Sequence, residues 1–272
     1  MITVLDSSMT ASTKWTDLID ELDRWGDEGR IATLWWRDDD AIARSQRLGE
    51  LIAIANGVPV ALAVIPALAE SALADWLVQA APTYARILQH GWQHANHAAP
   101  GKKSEFPKSR ARDAAARDLV QGRARLTELF GTQALPVLAP PWNRFDDSFL
   151  PLLVDCGISG ISRVRPRDVP LPMSPVVASN VHVDMVAWRG DRGFVGEAAA
   201  LGGLVAHLRG RRAGAVDPDE PTGILTHHLV QDAATAAFLD RLLRLTLDHP
   251  AARWVDAEMV FAPAPVPSAT AG

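Results

Sequence analysis

At 272 residues the chain fits one large α/β domain or two small ones and can bury a sizeable core. It is 48% apolar and 22% charged with a net charge of −5, an ordinary globular composition that gives no electrostatic case for nucleic acid or an anionic membrane. A single cysteine, Cys156, excludes an internal disulfide framework and a multi-cysteine zinc site, and within LPLLVDCGISGIS it reads as a small core residue.

The N-terminus, MITVLDSSMTASTKWTDLIDELDRW, lacks the basic-then-apolar order of a signal peptide, and no apolar run is long enough to span a bilayer. The expectation is a cytoplasmic protein without a membrane partner. Residues 1–30 read as a helical extension, 31–260 as the main domain, and the Pro/Ala/Ser-rich stretch 261–272 as a disordered tail. Within the main domain TLWWRDD (33–39) reads as a buried strand, followed by a helix that ends at Gly57. VPVALAVIP (58–66) is a second strand, ESALADWLVQAAP a helix, and ARILQHG (85–91) a third strand. The clearest helix covers 109–131, with Leu119, Leu126 and Phe130 on one face and Gly131 as its stop. LPVLAPP, ISGIS, VHVDMVAW (181–188) and TGILTHH (222–228) read as strands four to seven, separated by helical patterns, and ARWVDAEMV reads as an eighth strand or a closing element. Strand–helix alternation without a linker argues for a single parallel-sheet domain, and seven or eight units in this length favour a barrel over a doubly wound open sheet. No GxGxxG or GxxxxGK[ST] pattern follows a strand, so no nucleotide-binding signature is present.

In a βα-barrel, chemistry gathers at the C-terminal ends of the strands. The polar clusters fall there repeatedly: RDDD after strand one, HGWQHANH after strand three, APPWNR after strand four, and THHLVQD after strand seven. Three consecutive acids are costly to hold together unless a positive charge sits between them. His90 and His94, with either Asp38 or Asp39, offer two nitrogens and one oxygen and leave positions for water and substrate, as in a catalytic zinc site. A further acid could act as base and His227 as proton donor. The plainer readings are a solvated turn or helix cap for RDDD, packing for THH, and a rigid turn for APPW.

In order and spacing these residues resemble the polysaccharide deacetylases, carbohydrate esterase family four and its relatives, from about Thr33 to Asp232. The resemblance implies a distorted (β/α)7–8 barrel. The family's Thr-Phe-Asp-Asp-Gly motif is matched by Trp36-Arg37-Asp38-Asp39-Asp40, which puts the catalytic base on Asp38 and a metal ligand on Asp39. The His-Ser/Thr-x-x-His motif is matched by His90 to His94, both histidines being ligands. Arg-x-Pro-Tyr/Trp appears as Ala139-Pro140-Pro141-Trp142, whose aromatic residue's N–H would help hold the oxyanion, and Leu-x-His as Leu225-Thr226-His227, whose His would be the acid. Two supports depart from the pattern: Ala139 replaces the Arg that orients the base, and Asp184-Met185-Val186-Ala187-Trp188 lacks one Asp of the fourth motif. Arg37, Arg144 or Arg189 could supply the missing guanidinium.

The resemblance thus implies a metal-dependent deacetylase, most simply with Zn2+ on Asp39, His90 and His94. Asp38, His227 and Trp142 would be catalytic, and Asp40, His97, Pro141, Asn143, Asp184, Trp188 and His228 would touch substrate, a carbohydrate or small amide. The alternatives are hydrolysis of another non-peptide C–N bond on a small molecule, and a non-catalytic carbohydrate-binding barrel. The sequence gives no oligomeric state.

Overall fold

The computed structural model describes residues 12–262. Ten-residue strand β1 (Ala32–Ala41) lies at the centre of the architecture. Its lower half pairs with β9 (Ala252–Trp254), its middle with β8 (Thr222–Thr226), and its upper half with β2 (Val60–Val64), all in parallel. From β2 the sheet continues through β3 (Ala85–Gln89), β4 (Ala134–Leu138), β5 (Gly160–Ile161) and β6 (Val177–Ala178), and beyond β8 it ends at β7 (Val183–Asp184). The nine strands curl into an incomplete barrel. Its two end strands, β6 and β7, do not pair with each other, and the isolated parallel bridge Val164–Val181 extends the β5–β6 pairing in the same register.

Helices α1 (Trp15–Asp27), α2 (Gln46–Ala55), α3 (Ser71–Ala80), α4 (Arg112–Phe130), α5 (Leu150–Asp155), α6 (Glu197–Arg212), α7 (Ala233–Asp248) and α8 (Ala257–Val260) alternate with the strands except at β5, β6 and β7, which follow one another directly. The caps follow from the sequence: Ser45 accepts the Leu48 N–H at the start of α2, Asp232 accepts the Thr235 N–H at the start of α7, and left-handed Asn56 ends α2 one residue before Gly57.

Strand periodicity sorts β1 into two faces. Leu34 and Trp36 point into the large core shared with α1, α2, α3, α6 and α7, whereas Trp35 points into a smaller interior cluster with Ala61, Ala63, Leu88, Val137 and Leu225. Small alanines leave room in that interior for one indole and, above it, for polar groups.

The expected seventh strand is observed as β8, since a short strand, β6, was not legible in the sequence. The sixth expected strand, 181–188, shrinks to Val183–Asp184 because Asp184 accepts the Val186 N–H and turns the chain off the sheet. The third stops at Gln89, ahead of Gly91 at φ +65°. Helix α1 belongs to the main core through Trp15, Leu18, Leu22 and Trp25. Phe261, read from sequence as part of the tail, is buried edge-on against Trp35. Residues 1–11 of the expected extension and 263–272 of the expected tail lie outside the described residues. No helix among the described residues is long and apolar enough to cross a membrane.

Candidate active site

At the C-terminal end of the sheet a cavity of about 540 Å3 is lined by Asp39, Asp40, His90, His94, Trp142, Asn143, Asp184, Trp188 and His227, among others. Each side chain arrives from a strand end or the loop after it, where the barrel geometry concentrates polar groups.

The three acids of β1 have three different fates. Asp38, on the helix-facing side with Trp36, is completely buried. It accepts hydrogen bonds from the Thr226 hydroxyl at 2.7 Å, the His228 N–H at 3.0 Å and the His228 ring. Thr226 in turn accepts the Trp36 indole N–H. Asp39, on the interior face, has both oxygens held by Arg37, Nε to Oδ1 at 2.9 Å and Nη2 to Oδ2 at 3.0 Å. Asp40 would alternate back to the outside, but β1 loses register between Asp38 and Ala41 and Asp40 sits at φ +72°. This bulge re-aims its carboxylate into the cavity, a known use of such irregularities.

Asp40 Oδ1 lies 3.2 Å from His90 Nε2 and 3.5 Å from His94 Nε2, so among the described residues these three form one of the groups able to hold a cation, and the one that lines this cavity. Asp40, not the expected Asp39, is thus the carboxylate that meets both histidines, and Asp38, the expected base, is bonded to Thr226 and His228 away from the cavity, while the bulge places Asp39 and Asp40 together on it. His228, expected at the substrate, is buried beneath the site as the partner of Asp38. Pro141 is buried, and a Cβ on Gly91 would meet its ring at 2.7 Å. His97 lies outside the cavity, exposed beside Glu105 and Asp118.

The donor set suits a divalent cation. His90 Nδ1 is 2.8 Å from the Ala139 carbonyl, which can only accept, so Nδ1 carries the hydrogen and Nε2 offers its lone pair. That lone pair faces the carboxylate oxygen of Asp40, a buried atom with no hydrogen-bond donor of its own. Two electron-rich atoms at this distance call for a positive charge between them. Burial works to raise the Asp40 pKa, but its side-chain contact with His90 and the charge of that ring hold it well below the usual carboxylate range. Burial works against protonation of His90, yet Asp39 and Asp40 raise its pKa. At His94 burial prevails and, with His90, lowers it.

Backbone strain aims the ligands. His94 and Trp142 hold φ +57° and +55°, and the two rings meet with centroids 4.2 Å apart. The loop after β3 is fixed by Glu105, whose carboxylate accepts the Trp92 and Gln93 N–H groups at 3.2 and 3.0 Å, and by Gln89, which donates to Gly91 and Leu119 carbonyls.

Arg37 replaces the guanidinium that Ala139 does not supply. It is completely buried, and beyond Asp39 it donates to the Ser162 hydroxyl and carbonyl at 2.7 and 3.0 Å and to Asn143. A strand neighbour two residues away shares the face, so the i, i+2 spacing of Arg37 and Asp39 was the signal available in the sequence. The role of Glu105 and Ser162 had no such signal. His227 stands across the cavity with Nε2 4.0 Å from Asp39 Oδ2, while its Nδ1 is buried without a partner. Trp188, 45% exposed, packs edge-on against His227 at 4.7 Å and donates its indole N–H to Asp184 Oδ2 at 2.7 Å. Burial raises the Asp184 pKa against the opposing charge of His227.

No protein-family model matches the sequence, and no curated protein matches it. Solved structures do. A protein described as a polysaccharide deacetylase from Mycobacterium smegmatis is 14% identical over 93% of both chains with a TM-score of 0.59. A peptidoglycan N-acetylglucosamine deacetylase in complex with an N-hydroxybenzamide is 15% identical over 91% of this chain and 97% of that one, at 0.52. A family 4 acetyl xylan esterase from Clostridium thermocellum, in complex with a cobalt ion, is 16% identical over 84% and 90%, at 0.50. The strand-end cavity and the incomplete parallel barrel agree with this likeness: the chain has the fold of the polysaccharide deacetylases.

Proposed function

We propose that the protein is a metal-dependent hydrolase of the polysaccharide deacetylase type that removes an N-acetyl group from a sugar or a related amide. The observation that carries this reading is the convergence in one cavity of a cation-holding triad (Asp40, His90 and His94), a carboxylate locked by a buried arginine (Asp39), and an imidazole opposite it (His227). The solved structures of like fold include proteins described as deacetylases and one described with a cobalt ion, which agrees with it.

Asp40, His90 and His94 would hold the cation, and two imidazoles with one carboxylate suit zinc, cobalt, nickel or iron, zinc being the simplest assignment. A divalent ion there supplies Lewis acidity, drawing charge from the acyl carbonyl and making water more acidic. Asp39 takes the proton of the attacking water. The Arg37 fork orients its carboxylate while leaving each oxygen a free lone pair. The Trp142 N–H donates to the oxygen that becomes negative, and His227 gives a proton to the departing amine. Trp142 and Trp188 offer indole faces for a sugar ring. Asp38 has no part in the chemistry and supports β8 from beneath.

The test separates the two acids. Purified Asp40→Ala and His94→Ala should lack the metal found at about one equivalent in the wild type, by elemental analysis. Asp39→Asn should keep the metal and lose turnover by roughly two orders of magnitude or more. Loss of metal in Asp39→Asn, with retention in Asp40→Ala, would return the ligand to Asp39. A non-catalytic barrel would have no use for a locked Asp39 or for His227, and acyl release from N-acetyl sugars by the wild type excludes it.

A further inference from the structure

Beside the cation cavity lies a second cleft of about 730 Å3, and the two share Trp142, Asn143, Arg144 and Val164 as a common wall. The cleft is lined by five cationic side chains, Lys102, Arg144, Arg163, Arg165 and Arg167, and by two acids, Asp147 and Asp168. Two of the cations are partly neutralised: Arg163 Nη1 is 2.8 Å from Asp147 Oδ1, and Arg167 Nε is 2.8 Å from Asp217 Oδ2. Arg144 donates from Nη1 only to the Lys103 carbonyl. Lys102 and Arg165 have no acidic partner within 4.0 Å among the described residues, and the same holds for Lys103 and Arg192 at the neighbouring cation cavity.

This sign is opposite to that of the protein. The chain has 27 basic and 32 acidic residues, yet the cleft inverts the balance. Like charges gathered in a concave surface repel one another, and the field they focus attracts an anion. Arginine forks suit phosphoryl oxygens in particular, because they present paired, fixed donors. Arg165 is exposed at the cleft, with its backbone left-handed at φ +75° and its N–H donating to the Val181 carbonyl. The cleft is larger than a lone phosphate requires and within the size range of sites for organic ligands.

We propose that the substrate is an N-acyl sugar bearing a phosphoryl group, with the sugar in the cation cavity and the phosphoryl group in this basic cleft. The sugar end rests on the deacylase reading above, whereas the anion end rests on the cleft alone. A phosphate monoester on the sugar and the diphosphate of a nucleotide sugar present the same chemistry here.

The experiment is calorimetric titration of the purified protein with N-acetylglucosamine, N-acetylglucosamine 1-phosphate and uridine diphosphate N-acetylglucosamine, in wild type and in a Lys102→Ala/Arg165→Ala double variant whose fold is checked by circular dichroism. At least one phosphorylated sugar should bind ten-fold or more tightly than the neutral one, should weaken as salt is raised, and should be displaced by inorganic phosphate. The double variant should lose ten-fold or more for that ligand and nothing for the neutral sugar, and the tighter of the two phosphorylated sugars names the source. Equal affinity for neutral and phosphorylated sugars, no binding of any of the three, or an unaffected double variant overturns the proposal. Acyl release assayed in parallel keeps the two readings apart. Phosphoryl-dependent binding without acyl release retains the cleft and removes the deacylase; acyl release with no phosphoryl preference does the reverse.

Discussion

Arg37 is completely buried and meets a buried carboxylate through two parallel N–H···O bonds, so its removal would strand the charge of Asp39 inside the barrel. Breaking a buried pair from one side costs about 3–5 kcal/mol. Arg37→Ala should lower stability by that order in urea unfolding and should abolish turnover, while Arg37→Lys, with a point charge in place of the fork, should recover part of the stability and little of the rate. Metal content should survive in both, since the cation rests on Asp40. At this scale the sequence was half legible. The histidines at 90 and 94, the acid run and His227 could be placed in one site from motif order alone. Which acid does what could not, because strand alternation gives the right parity for Arg37 and Asp39 but a one-residue bulge cancels it at Asp40. Nothing in RDDDA announces a bulge: the left-handed position that glycine would mark is held here by Asp40 itself.

Among the elements, the loop after β3 has the least freedom. A Cβ on Gly91 would lie 1.8 Å from Glu105 Oε2, and its φ of +65° is unfavourable for any side chain. Gly91→Ala should therefore push the Glu105 carboxylate off the Trp92 and Gln93 N–H groups and displace His94. The expected result is a metal affinity lower by about ten- to a hundred-fold, read by competition with a chelator, together with a loss of about 1–3 kcal/mol in unfolding. The long elements were legible because their periodicity runs for many residues: α4, α6 and α7 each span 16 or more. Strands β5, β6 and β7 have two residues each, too few for any alternation to register, and so the far side of the barrel was read only roughly.

At the scale of the whole molecule, one buried histidine makes stability depend on pH. At the opposite end of β8 from the cavity, His207 is buried against the stacked ring of His182, with centroids 3.4 Å apart. Burial, then the charges of His182 and Arg211, push its pKa down to about 2. In the unfolded chain the same imidazole titrates near 6.5. Between those values the unfolded state binds the extra proton, so stability is complete above about pH 6.5 and falls as the pH drops below it. Between pH 7.5 and 5.5 this one residue should cost about 1–1.5 kcal/mol, and His207→Gln should flatten that part of the stability–pH curve in urea titrations at both values.

The place of β1 in the sheet also sets an order of events during synthesis. All three residues proposed to hold the cation have been made once residue 94 is added, but the strand that carries Asp40 also pairs with β8 and β9, and Asp38 is tied to partners 188 and 190 residues later. A nascent chain that ends before Thr222 contains all three of these residues and β2 but lacks β8 and β9, two of the three strands that pair with β1. On the proposed reading, the place for the ion is completed only after the strand that begins at Thr222 has been added.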